Sequence, residues 1–223
     1  MKPSNLVFTL VTLAAIAPFA ACSSDSGSST APAPTTPIPD ASPAAPSIVG
    51  HWISEGVETR TDAQEKTTYL RRDFRNEAAR SAARFDFYAD AAGAAPTLSL
   101  TLGGPYTIGG PWSAVPGSFE GTFVFDDAKI TPHVQSLVDT LNAAPAGTCG
   151  AQPFALDVEE SVTGTGGCAA LGVDLRNHNT EYDLVKVDGD RLYYGARPDD
   201  GGGLDTPERR PKALQAPVVR AAD

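Results

Sequence analysis

Between Ser118 and Phe125 the chain reads Ser-Phe-Glu-Gly-Thr-Phe-Val-Phe, with Phe119, Phe123 and Phe125 on one side of an extended backbone and Glu120, Thr122 and Val124 on the other. This is the pattern of a half-buried strand. The same two-residue period recurs where Leu98, Leu100 and Leu102 alternate with Thr97, Ser99 and Thr101, and where Phe85 and Phe87 alternate with Arg84, Asp86 and Tyr88. Several antiparallel strands therefore share one apolar surface. Such a surface either packs on itself as a core or encloses a greasy ligand, and periodicity alone leaves both readings open.

Around these strands the pattern predicts more of the same. Ile48 to Arg60 alternates in a strand-like way with Trp52 as its largest anchor, and Thr67 to Phe74 and Arg80 to Tyr88 form two strands about a turn at Asn76 to Ala79. The Ala and Arg content of that turn also permits a short helix. Gly103-Gly104-Pro105 and Gly109-Gly110-Pro111 read as turns on either side of Tyr106 to Ile108, with Trp112 to Val115 following. One helix is expected after Thr131-Pro132, because Val134, Leu137, Val138 and Leu141 then share a face. A strand is expected at Phe154 to Val162. Tyr182 to Val187 and Arg191 to Tyr194 flank Asp188-Gly189 as a closing hairpin. From Arg197 to Asp223 the composition is that of a wrapping or disordered tail.

The N-terminus changes the compartment. Lys2 precedes an apolar run, Leu6 to Ala17, that is too short for a mature membrane span, so residues 1–21 read as a signal peptide. Phe19-Ala20-Ala21-Cys22 resembles a bacterial lipobox with Phe19 in place of an aliphatic residue, which makes Cys22 the expected lipidation site. Plain cleavage that leaves Cys22 a free thiol is the alternative. Residues 22–47, rich in Ser, Pro and Ala, read as an extended linker, and residues 48–223 as a single domain with a C-terminal wrapping tail. The expected localisation is therefore exported and anchored to the bacterial cell envelope, on the periplasmic or outer membrane face. In that oxidising setting Cys149 and Cys168 are expected to pair.

Charge and motifs narrow the function classes. A net charge of −10 supplies no basic face for phosphates, so no nucleic acid partner is expected. His51, His133 and His178 have no metal-ligand spacing, the aspartates near Asp188 and Asp205 miss the calcium-loop pattern, and no G-x-S-x-G elbow occurs. No catalytic residue, metal or cofactor is assigned. Glu58 and Glu120 are strand carboxylates that would serve acid-base work only if they faced each other.

Gly50-His51-Trp52-Ile53-Ser54 with Glu58 and Arg60, Leu70 to Phe74, Tyr88-Ala89-Asp90 before Pro96-Thr97, and Glu120 follow one another in a recognisable order. The order continues through Ile130-Thr131-Pro132, Cys149-Gly150, Gly167-Cys168, Ala170-Leu171-Gly172 and Thr180-Glu181-Tyr182. It ends with Arg197-Pro198, Asp200-Gly201, Asp205, Pro207-Glu208 and Arg210. This series resembles the repeat domain of the adenomatosis polyposis coli down-regulated family, membrane-anchored Wnt antagonists of animals. Val57 stands where the family has a cysteine, and no cysteine occurs in Ala91 to Ala95, where its partner is expected. The animal proteins also carry two copies of the domain and a transmembrane helix.

What the resemblance implies is a mainly β fold: an antiparallel β-barrel or half-barrel, lipocalin-like, with one short helix and a hydrophobic cavity that sequesters an acyl group. Partners so implied are a fatty acyl chain or lipid, the membrane through the acyl anchor, and an acylated protein. From the apolar pattern the expected ligand-binding residues are Trp52, Phe85, Phe87, Leu98, Leu100, Trp112, Phe123 and Phe125. A protein-interaction module with a solid core is the alternative function. A lipid hydrolase ranks last, since the sequence pairs no nucleophile with a base.

Overall fold

The computed structural model describes residues 43–62, 65–198 and 202–222. Cys22, the signal peptide and most of the linker lie outside the described residues. Thirteen strands and one α-helix are described: β1 (Gly50–Ile53), β2 (Glu58–Thr61), β3 (Thr67–Asn76), β4 (Arg80–Tyr88), β5 (Pro96–Trp112), β6 (Ser118–Val124), β7 (Asp127–Pro132), α1 (Gln135–Ala143), β8 (Glu160–Ser161), β9 (Gly167–Cys168), β10 (Val173–Asp174), β11 (Thr180–Asp188), β12 (Arg191–Tyr194) and β13 (Val218–Arg220).

Antiparallel pairing runs β3-β1-β13-β12-β11-β6-β5-β4 and returns to β3, which closes a barrel of eight strands. Closure removes the edges of the eight ring strands, and β2 and β8 end the sheet outside the ring. The segment from Ile48 to Arg60 is two strands, β1 and β2, parted by a turn at Glu55 and Gly56. Only β1 belongs to the closed ring; β2 pairs outside it with the first residues of β3. The tail is ordered where described, and its Val218–Arg220 is the barrel strand between β12 and β1.

Strand β5 departs most from the sequence pattern. Its two Gly-Gly-Pro runs do not turn; one strand of 17 residues passes through both. Its first half pairs with β7 and its second half with β6, and the two partners follow each other along the same edge. They part at Phe125 and Asp126, where Asp126 N donates to Gly103 O at 2.9 Å and a Cβ on Gly104 would run into the Val124 carbonyl. Glycine is thus needed for a close approach of two backbones. Beyond this point β6 stays with the barrel wall against β11, while β7 peels off with β8 toward the helix.

Two cores result. Inside the barrel, Ile48, Trp52, Phe74, Phe119, Val185, Leu192 and Val218 are buried together, and Phe123 and Tyr194 continue that cluster toward the splayed end. Under the peeled-off β7, Ala128 and Ile130 pack on Val138 and Leu141 of α1 and on Phe154, Val162 and the disulfide between Cys149 and Cys168. The expected strand at Phe154 to Val162 shrinks to Glu160–Ser161, because the chain turns between the buried Phe154 and Val162, where Val158 N donates to Ala155 O at 3.3 Å and Leu156 and Val158 are left exposed.

Candidate functional site

Where β6 and β7 separate, the barrel is not filled. An inner chamber of about 60 Å³ lies among Phe74, Ala83, Phe85, Phe123, Phe125 and Tyr194. Outside it, a groove of about 460 Å³ runs over Leu70, Phe85, Phe87, Leu100 and Leu102 toward Lys66 and Pro198. The two hollows share Arg60, Phe85, Leu102 and Arg197, so they adjoin. Cross-strand register explains the apolar wall: Phe85 sits opposite Leu100 and Phe87 opposite Leu98 across β4 and β5, which puts their side chains on one face.

Of the eight residues expected to bind ligand, Phe85, Phe87, Leu100, Phe123 and Phe125 line these hollows. The other three serve elsewhere. Trp52 is fully buried in the filled half of the barrel, where its Nε1 donates to Ile48 O at 2.8 Å and Arg220 lies 4.2 Å from its ring centre. Leu98 packs with the helix-side core. Trp112 holds the tail by donating to Pro211 O at 2.9 Å, with Arg210 lying 5.6 Å from its ring.

A charged cluster meets this apolar wall. On β3, Leu70, Arg72, Phe74 and Asn76 all point inward, so Arg72 is a guanidinium on an otherwise largely apolar face, 1% exposed. Its Nε donates to Glu58 Oε1 at 2.6 Å and its Nη2 to Ala216 O at 2.6 Å. Glu58 also accepts from the Ser54 hydroxyl at 2.5 Å and from Arg60 at 3.2 Å. Burial pushes the Glu58 carboxyl up, but the Ser54 hydroxyl and the Arg72 charge outweigh it and hold the group below its ordinary value. Arg60 is itself held by Gln215 Oε1 at 2.7 Å.

Across the chamber Arg197 forms an ion pair with Glu181, and both line it together with Asp183. Asp183 is buried, and its Oδ1 accepts from the N–H groups of Leu184 at 2.7 Å and Gly195 at 2.8 Å. Burial, with the Glu181 charge nearby, raises its carboxyl to about 7. The Asp183 backbone carbonyl accepts from the buried Arg210, which also donates to Gly121 O at 2.7 Å and so ties the tail to the wall. Glu120 faces Arg210 at 3.8 Å and does not meet Glu58, so the two strand carboxylates form no acid-base pair.

One constellation invites a catalytic reading. Ser99 Oγ lies 2.9 Å from His133 Nε2, and His133 Nδ1 lies 2.6 Å from Asp157 Oδ1, the order of a Ser-His-Asp relay. Its surroundings argue against a nucleophile. Ser99 is 3% exposed, its hydroxyl donates to Asp86 Oδ1 at 2.5 Å, and it accepts from Arg84 at 3.1 Å. Ser99 also sits mid-strand between Asp86 of β4 and Thr131 of β7, whose ladders occupy the local N–H groups that an oxyanion hole would need. As built, the group is a polar staple across three strands and the loop that carries Asp157.

Sequence reasoning missed Arg72, Arg197 and Asp183 as parts of a site. A signal for Arg72 was present, since Leu70, Arg72 and Phe74 keep strand alternation with a cation in an inward slot. The profile of adenomatosis polyposis coli down-regulated 1 matches residues 38–165, from the linker through β8, and includes Glu58, Arg60, Arg72 and most of the apolar wall. The match spans more than half of the chain: the protein belongs to the adenomatosis polyposis coli down-regulated 1 family.

Proposed function

We propose that this protein is an exported cell-envelope lipoprotein, held to the membrane through Cys22, whose barrel binds a fatty acyl chain or another single-chain apolar ligand without chemistry. The observation that carries the binding reading is the pair of adjoining hollows walled by Phe85, Phe87, Leu100, Leu102 and Phe123. The groove alone, at about 460 Å³, falls in the range of about 300–1,000 Å³ usual for small-molecule sites. Each methylene it withdraws from water contributes roughly 0.8 kcal/mol before ordering costs, so an alkyl chain gains enough for micromolar binding. The resemblance to Wnt-binding domains points the same way. The arrangement around Ser99 supports binding rather than turnover, as its hydroxyl proton is directed at Asp86.

A second reading, a protein-interaction module with a solid core, draws on the filled half of the barrel around Trp52, Leu192 and Val218. Native mass spectrometry of the full chain with hexadecanoate separates the two. One bound chain per protein is expected. An unchanged mass at a hundredfold excess of hexadecanoate leaves only the interaction module.

A further inference from the structure

Arg72 carries a donor that the protein does not use. With Nε on Glu58 and Nη2 on Ala216 O, its Nη1 is buried and is the one such side-chain nitrogen among the described residues without an acceptor. A guanidinium offers five N–H donors and no acceptor, and burying one unmatched is costly. An apolar side chain between Leu70 and Phe74 would fill the same slot without that penalty. Arg72 is also one of the residues that line the inner chamber, so the unmatched guanidinium belongs to the wall of that volume.

We propose that the inner chamber receives the ionised head of the ligand: a long-chain carboxylate enters head first, its oxygens accept from Arg72, and its chain lies outward along the groove. This deepens the acyl-binding reading above and rests on it. The volumes set the direction. The chamber, at about 60 Å³, is several times smaller than the groove of about 460 Å³, so it takes a head group and leaves the length of the chain to the groove. Arg60 and Arg197 stand where the two hollows meet, so a carboxylate passes two further cations on its way in.

The acids nearby do not oppose it. Glu58 is committed to Arg72 and Arg60, and Glu181 to Arg197. Asp183 directs Oδ1 to two backbone N–H groups, and burial keeps a large share of it neutral near pH 7. With Asp183 neutral, three guanidiniums face two carboxylates, and one positive charge remains for the ligand. An acylated protein presents the reverse polarity, because its carbonyl end is tied to a bulky body outside the barrel. Such a chain enters tail first and leaves Arg72 unmatched. The favoured ligand class is therefore the free fatty acid.

Titration of the full chain with hexadecanoate, methyl hexadecanoate and hexadecanol tests this without any substitution. The carboxylate is expected to bind at least tenfold more tightly than the ester or the alcohol. Equal affinities overturn the head-first arrangement and leave the acyl-binding reading standing; no binding by any of the three overturns both. The double variant R72M/E58Q removes the donor and its counter-charge together, and Arg60, which also pairs with Glu58, keeps Gln215 Oε1 as an acceptor. It is expected to lose the tenfold preference of carboxylate over ester. A preference that survives in the folded double variant overturns Arg72 as the anchor, and if that variant does not fold, the wild-type comparison decides.

Discussion

Arg72 donates to Glu58 across 2.6 Å with its side chain 1% exposed, so an inward cation of the barrel depends on a single carboxylate of the outlying strand β2. Breaking such a buried pair from one side leaves an uncompensated charge and costs about 3–5 kcal/mol. Glu58→Gln is expected to show a loss of that order in urea unfolding, and R72M/E58Q a smaller one than either single change. The Glu58 carboxyl is held below its ordinary 4.5, so its contribution is present above that pH and is lost as pH falls through the folded value. The wild type should therefore weaken more steeply than Glu58→Gln as pH falls below 4.5.

Asp183 pulls the other way. Its folded value is raised to about 7 from 3.8, so the folded state holds a proton that the unfolded chain releases between those values. Stability from this group is fully present below 3.8 and falls as pH rises toward about 7, by at most about 4 kcal/mol at 1.36 kcal/mol per unit. Asp183→Asn keeps the oxygen that accepts from Leu184 and Gly195 and carries no charge. Thermal unfolding between pH 5 and 8 is expected to show a falling Tm in the wild type and a flatter profile in the variant. A parallel fall in both would assign the slope to other groups.

Val57 stands where the family resemblance puts a cysteine, and its neighbour in space is the loop expected to hold the partner. A Cβ built on Gly93 would lie 2.5 Å from Val57 Cγ2. The pair V57C/G93C is therefore expected to oxidise spontaneously and restore a cross-link. Closing a loop of this length contributes about 3–4 kcal/mol, and a cysteine at the positive φ of position 93 takes back roughly 1 kcal/mol. A Tm higher by several degrees that vanishes on reduction is the expected result, read against the Cys149–Cys168 bridge in a parallel reduced control.

The faces built from β4, β5 and β6 could be read from two-residue alternation, and so could α1, whose Val138 and Leu141 are buried as the helical spacing requires. Alternation reports that Trp52 and Phe85 turn away from solvent. It does not report whether the volume beyond each is filled, so the pattern groups Trp52, Leu98 and Trp112 with the cavity residues. The Gly-Gly-Pro runs of β5 have the composition of turns, yet they serve a strand that changes partners where two backbones come close. Three-residue β13 is too short to show a period, and its partner β1 lies far away in the sequence. Arg72 keeps the alternation of Leu70 and Phe74 and so marks an inward cation, but its meaning appears only with Glu58 and the chamber in place.

Ala83 gives the most direct test that the chamber is usable space. It is buried on β4 with Phe74 opposite on β3 and Leu102 opposite on β5, and it lines the inner hollow. Ala83→Val adds two methyl-sized groups there. If they enter vacant volume, stability rises by up to about 1.5 kcal/mol at roughly 0.8 kcal/mol per group, while hexadecanoate loses at least tenfold in affinity because its place is taken. If the wall is already tight, overpacking costs about 1–3 kcal/mol instead and ligand affinity does not move in step. Phe123→Ala is the opposite change: it enlarges the chamber, costs about 3–5 kcal/mol through the cavity it leaves, and is expected to regain part of that loss when hexadecanoate is added. Opposite signs for the two substitutions, in both stability and ligand response, distinguish a working cavity from a packing defect.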